Sequence, residues 1–324
     1  MRVLVTGANG FVGSHIADRL QGQGVDIRLM LRRTSSIAFL GGVKDYERVE
    51  GDMRNAESLT AAVRGVGTVI HCAGLTNART EAEYQAINGE GTAVLARAAA
   101  EAGVKRFVYV SSLAAQGPSP DGSTSIPDVA HPISSYGRSK LAGEYATLTE
   151  KERMSVAIVR PPVVYGERDH ALLPFYRIAS LGVLPVLGGG QNQVSFVHTH
   201  DCADAIIRAA LTAGRSGGIY TIADGPPHTW RGLVQAFARA RGRGVRIINT
   251  PPSLFMAAGY AGGAVSKLIR RALPLNPDEV AHMRERYWVC DYEAIARDLG
   301  WQPRISLDQG FAQMLRWYRE QRWL

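Results

Sequence analysis

The chain reads as an α/β protein: a Rossmann-type, doubly wound parallel sheet with a second, smaller, mainly helical domain. Three observations predict that class. Through the first 160 residues, short β-branched and apolar runs alternate with helical patterns. These runs are continuously apolar, as strands covered on both faces of a parallel sheet must be. The first of them, RVLVTG, opens onto a glycine at every third position, Gly7, Gly10 and Gly13.

RVLVTG is the first strand, and a helix follows from about Gly13 to Gln21. VDIRLML and YERVEGD are the next strands, with a helix over about Ala56–Val63. TVIHCAG is a strand and Glu83–Ala102 a long helix. RFVYVSS, a helix over Ser135–Lys151 and the strand SVAIVRP complete the alternation. After Val164 the rhythm breaks into Gly- and Pro-rich pieces, LGVLPVLGGGQN and DGPPHTW. FVHTHDCADAIIRAAL reads as a strand end running into a helix, GGIYTIA as a short strand, and the chain beyond Trp230 as mainly helical. The expected division is 1–165, with 194–223 returning to it, for the sheet domain. Residues 166–193 and 224–324 form the second domain, interleaved with the first.

The 324 residues carry a net charge of +8, scattered rather than in one tract. No zinc-finger, RRM or helix-turn-helix pattern accompanies that charge, so no nucleic-acid partner is expected; anionic small molecules suit it equally well. Cys72, Cys202 and Cys290 are far apart without CxxC spacing, which argues against a disulfide framework and suits a reducing cytoplasm. No signal peptide is read at the N-terminus. The most apolar window, Ser253–Val265, is shorter than the roughly 18 residues of a membrane span, so no integral span is expected. It reads as a buried helix or an apolar cap over a substrate pocket.

Glycines at a strand end permit a tight turn, a close approach to a pyrophosphate and tight helix-to-strand packing. The helix N-terminus that follows offers unpaired N–H groups and a partial positive charge to phosphate. TGANGFVG, GDMRN, HCAG, NGEGT, VYVSS, YGRSK, RPPVVYG and FVHTHD occur in that order along nearly the whole chain. Together they resemble the extended short-chain dehydrogenase/reductase superfamily, the NAD-dependent epimerase/dehydratase family. The 3β-hydroxysteroid dehydrogenase and dihydroflavonol reductase side is the most similar.

The resemblance implies a dinucleotide held by Gly7, Gly10, Phe11, Val12 and Gly13, by Asp52 and Met53 at the adenine, and by Ala73 and Gly74 beside the fourth strand. Asn88 orders the active site, Tyr136 and Lys140 reach the nicotinamide end, and Pro162 and Val163 line it. The second strand ends LMLRRTSS, with Leu31 at the position where an acid holds the ribose hydroxyls of NAD, and Arg32 after it. A guanidinium there binds a 2′-phosphate that a carboxylate repels, so NADP(H) is favoured, with NAD(H) the alternative.

Tyr136 and Lys140, four residues apart, share one helix face. A free phenol titrates near ~10, and an adjacent ammonium favours its phenolate. By resemblance, Tyr136 is the acid/base, Lys140 its partner, and Ser112 the hydroxyl that polarises the substrate oxygen; Ser111 is the neighbour with which it can be confused. His198 and His200 stand i, i+2 without a third ligand spaced nearby, so no metal is expected, and Asp201 reads as a cap of the following helix. The implied activity is hydride transfer between NADP(H) and a secondary alcohol or ketone. The alternative is a nucleotide-sugar epimerase with tightly bound NAD, dehydration being less expected because Leu113 and Ala114 follow Ser112. A non-catalytic dinucleotide sensor conflicts with the intact Ser–Tyr–Lys set. The substrate is a small molecule, and family habit implies a homodimer through the helices matching Glu83–Ala102 and Ser135–Lys151.

Overall fold

The computed structural model describes residues 1–126, 129–251, 253–254 and 277–324. The main-sheet strands, in chain order, are β1 (Arg2–Thr6), β2 (Asp26–Leu31), β3 (Tyr46–Glu50), β4 (Thr68–His71), β5 (Arg106–Val110) and β6 (Ser155–Arg160). After them come β7 (Val163–Tyr165), β8 (Val183–Leu187), β9 (Gln193–Val194), β10 (Phe196–His198) and β11 (Gly218–Thr221). Seven strands form one sheet in the order β11-β6-β5-β4-β1-β2-β3, with every pairing parallel. The expected doubly wound sheet is therefore present. Its order reverses between β1 and β4, the switch point at whose carboxyl edge ligands bind in such sheets.

Pleating explains the continuous apolar runs. Val3 and Val5 face a core with Ile16, Leu20, Leu29 and Ile206, while Leu4 faces one with Leu59, Val63, Leu95 and Phe107. Each fully buried side chain of this size contributes about 1.5–3 kcal/mol. The helices α1 (Phe11–Leu20) and α2 (Ala56–Val63) follow β1 and β3. The expected Glu83–Ala102 helix begins at Glu81 and is not uniform: Glu81–Tyr84 and Thr92–Glu101 flank a π-helical stretch, Gln85–Gly91. The helix Ser135–Leu148 packs beside Gln85–Gly91 and Thr92–Glu101 and reaches β6.

A third cluster packs Tyr165, Tyr176, Phe196, Phe237, Phe311 and Tyr318, drawing on residues on both sides of β10 and β11. Here the mainly helical expectation is incomplete. The Gly- and Pro-rich LGVLPVLG contains β8, which pairs in parallel with the strand Arg246–Thr250. That partner is largely exposed, so it lacks the apolar run that marks a buried strand. Further short strands, His228–Thr229 and Tyr287–Trp288, flank β9. The apolar Ser253–Val265 segment lies outside the described residues except for Ser253 and Leu254. Among the described residues, no helix is long and apolar enough to cross a membrane.

Candidate active site

The glycine-rich turn leaves β1 with Gly7 at φ +69°, a left-handed conformation, and a Cβ there would lie 2.7 Å from the Ala73 nitrogen. A Cβ on Gly13 would collide with the Gly7 carbonyl. The turn after β1 and the loop after β4 thus meet at backbone distance. Thr6 Oγ1 holds them together, accepting from Ala73 N (3.1 Å) and bonding His71 Nδ1 (2.7 Å). α1 starts at Phe11 rather than Gly13, and its cap, Gly10, has no side chain to satisfy the first turn. Phe11 and Val12 are half-buried at that end. This cradle fits a diphosphate: its space exists only for glycine, and its first-turn N–H groups have no side-chain cap.

At the ends of β2 and β3, a cleft of about 290 Å³ is lined by Arg32, Arg33, Thr34, Glu50, Gly51, Asp52, Asn55 and Ser58. Leu31 is buried in the core, whereas Arg32 and Arg33 are exposed. Asp52 makes an Asx turn, its Oδ1 accepting from Arg54 N (2.9 Å). The Met53 side chain is 8% exposed and packs in the core. Asn88 is placed behind the groove. It is fully buried, its Oδ1 accepts from Leu75 N (2.8 Å), and its Nδ2 donates to Leu75 O (2.9 Å) and Ser139 Oγ (3.0 Å). Its role is to pin the Ala73–Leu75 loop to the neighbouring helix.

The helix Ser135–Leu148 starts at Ser134, whose Oγ accepts from Gly137 N, and so carries Tyr136 in its first turn. Tyr136 lies against Tyr84, ring centroids 5.8 Å apart. One turn on, the Lys140 ammonium donates to Val110 O (2.7 Å) and sits 4.2 Å over the Tyr109 ring. Burial pushes its pKa down to about 8, partly opposed by Cys72 and Glu144. A Cβ on Gly74 would lie 3.8 Å from the Lys140 ammonium, so the β4 loop and the helix close on one point.

The two serines separate by environment. Ser111 is 5% exposed and its hydroxyl donates to Glu144. Ser112 is half-buried at the head of the turn Leu113–Gln116, its Oγ accepting from Ala114 N (3.1 Å). Pro162 and Val163 are half-buried nearby, and the preceding Pro161 carbonyl accepts from Leu113 N (2.8 Å).

His198 and His200 do meet a third group, Glu167, whose Oε2 lies 3.7 and 3.6 Å from their Nε2 atoms. His198 Nδ1, however, accepts from His200 N and caps the helix Thr199–Leu211. With Nδ1 accepting, a neutral His198 ring carries its proton on Nε2, and neither that atom nor Glu167 Oε2 has a hydrogen-bond partner. Asp201 is not that cap. Its Oδ2 accepts from Arg304 N (2.9 Å) and Ile305 N (2.8 Å), tying the C-terminal segment to the sheet domain.

Sequence reading missed Glu144 and Arg160, a buried bidentate pair behind Ser111. The available signal was spacing: Glu144 is four residues past Lys140, on the face it shares with Tyr136.

The family model of the NAD dependent epimerase/dehydratase family matches residues 3–223. The chain belongs to that family. A ceramide reductase of Caulobacter vibrioides is 30% identical over 99% of this chain and 96% of its own length. A 3-beta-hydroxysteroid dehydrogenase of Mycolicibacterium neoaurum is 29% identical over 98% of this chain and 92% of its length. A dTDP-glucose 4,6-dehydratase of Streptomyces venezuelae, solved with NAD bound, superposes with a TM-score of 0.79 at 28% identity, covering 99% of this chain and 98% of that one. The protein is accordingly an enzyme of the NAD(P)-dependent oxidoreductase or epimerase kind.

Proposed function

We propose that the enzyme is an NADPH-dependent reductase of a ketone, or the reverse dehydrogenase of the secondary alcohol, on an apolar substrate. The observation that carries this reading is the cleft at the β2 end. Leu31 is buried where NAD-binding folds place an acid, and two exposed guanidiniums, Arg32 and Arg33, line the space a 2′-phosphate needs. The relatives named as a ceramide reductase and a 3-beta-hydroxysteroid dehydrogenase support a lipid-like substrate. The stretch before Phe196, where many nucleotide-sugar enzymes carry an Arg for the diphosphate, disfavours the epimerase reading. Val194 and Ser195 are buried there, with Ser195 Oγ donating to Cys290 O.

In this reading Gly7, Gly10, Gly13 and the α1 N-terminus hold the diphosphate, Asp52 borders the adenosine, and Ala73, Gly74, Pro162 and Val163 line the nicotinamide end. The bound dinucleotide supplies the hydride. Ser112 Oγ donates a hydrogen bond to the substrate carbonyl oxygen and polarises it. Tyr136 Oη gives that oxygen its proton as the carbon is reduced, and Lys140 stabilises the phenolate left behind. Solvent then returns the proton to Tyr136.

The same reading assigns residues 1–165 and 194–223 to the dinucleotide domain, and 166–193 and 224–324 to the substrate domain. The aromatic cluster around Tyr176 and Phe311 draws mainly on 166–193 and 224–324, with Tyr165, Val194 and Phe196 joining it from the dinucleotide domain. The reading also takes the protein as a cytoplasmic homodimer; free Cys72, Cys202 and Cys290 suit a reducing compartment.

The test begins with protein purified without added nucleotide and denatured, the released material being identified by mass spectrometry. NADPH and NADH are then titrated into native protein, and turnover is screened with 3-oxo-ceramide and 9,10-phenanthrenequinone. Empty protein that binds NADPH at least tenfold tighter than NADH is expected. Stoichiometric, tightly held NAD would overturn the reading in favour of an epimerase.

A further inference from the structure

We infer that Glu144 and Arg160 form a buried positioning clamp that sets the Ser112 hydroxyl against Tyr136 and Lys140. The inference rests on the catalytic roles proposed above for those three residues. The Glu144 and Arg160 side chains are 1% and 4% exposed. Arg160 donates through Nε to Glu144 Oε1 (2.9 Å) and through Nη2 to Oε2 (2.7 Å), a planar fork on a planar carboxylate. Glu144 Oε1 also accepts from the Ser111 hydroxyl, and Arg160 Nη1 reaches Gln116 Oε1 at 3.5 Å. Ser111 and Gln116 bracket the turn that Ser112 heads, so the pair grips that turn from both ends.

The other side of the clamp is the catalytic helix. Tyr136, Lys140 and Glu144 recur every four residues along one face. Lys140 bonds Val110 O, and Glu144 bonds Ser111, so successive residues of the β5 end are tied to successive turns of that helix. A buried ion pair is a poor source of stability, because desolvation offsets the attraction, and an apolar pair of similar volume stabilises as well. What the pair supplies and an apolar one cannot is a fixed register between strand end and helix. Its charge also bears on Lys140. That ammonium is faced by His71 and Cys72 from the β4 end, by Tyr109 from β5, and by Glu144 from its own helix; Glu144 favours the charged form against burial.

The experiment is a double-mutant cycle on NADPH oxidation with 9,10-phenanthrenequinone, using Ser112→Ala, Glu144→Gln and both together. Ser112→Ala is expected to lower kcat by about 10²-fold, the usual effect of losing one polarising donor. Glu144→Gln is expected to lower kcat by roughly 10-fold or more with NADPH affinity within about twofold, and the double variant to match Ser112→Ala alone. Losses that multiply would overturn the clamp while leaving the proposed reaction intact. Full turnover by Ser112→Ala would overturn both the Ser112 assignment and the clamp. Glu144→Gln strands the buried Arg160 charge, so Glu144→Gln with Arg160→Met is made as well. The neutral pair should restore the melting temperature without restoring kcat, and recovery of kcat would likewise reject the clamp.

Discussion

At the catalytic end of the proposed groove, Lys140 is 4% exposed, Asn88 is fully buried, and Ser111, Glu144 and Arg160 answer one another's polar atoms. At the adenosine end, Arg32 and Arg33 stand in solvent, lining an open cleft with Glu50 and Asp52. The difference is one of mechanical consequence. A buried polar group left without its partner costs about 1–3 kcal/mol, so any change at the catalytic end propagates through its neighbours. An exposed guanidinium can be exchanged within about 0.5 kcal/mol of stability, so cofactor preference is adjustable without touching the proton-transfer geometry.

Removing the reacting proton tests the buried end most severely. Tyr136→Phe should lower turnover by about 10³-fold, within the range for general acid–base catalysis, with NADPH affinity within about twofold by fluorescence titration. Turnover near wild type would remove Tyr136 from the chemistry. The exposed end comes next. Arg32→Asp should weaken NADPH binding by roughly 10- to 100-fold, the worth of a charge-assisted bond, while NADH binding holds or improves and the melting temperature stays put. A fall in melting temperature instead would mean that Arg32 is part of the packing, and the contrast between the two ends would fail.

The smallest effect is in pH. Burial disfavours the Lys140 ammonium and pushes its pKa from the ordinary 10.5 down to about 8. The charged form is present below that value and is lost as pH rises through it. kcat should therefore fall above about pH 8, by about tenfold per unit once the neutral form dominates. Between pH 8 and 10.5 the unfolded chain holds the proton more tightly, so this group adds stability as pH rises there. An alkaline decline in activity accompanied by unfolding would contradict that sign.

Much of the fold around the proposed site was legible in local pattern. The glycine spacing, the Tyr136–Lys140 interval and the buried parallel strands each depend on residues close in sequence, where backbone geometry alone constrains the outcome. The departures came where a side chain answers a distant partner. Asp201 looked like a helix cap and instead holds Arg304 and Ile305, while His198 caps the helix. The Met53 and Asn88 side chains are buried, Asn88 bonding Leu75 and Ser139, which local pattern did not reveal. The Arg246–Thr250 strand was missed because it carries no apolar run.

By itself, the sequence determined the sheet class, the glycine turn after β1 and the helix face shared by Tyr136 and Lys140, since each follows from short-range periodicity and from glycine's lack of a Cβ. Only the tertiary structure decided that Ser111 is tied to a buried partner, Glu144, while Ser112 is not. Ser111 and Ser112 are adjacent and chemically identical, and the difference between them rests on Glu144 and Arg160, held 33 and 49 residues further along the chain from Ser111 and brought to it by the packing of strand against helix.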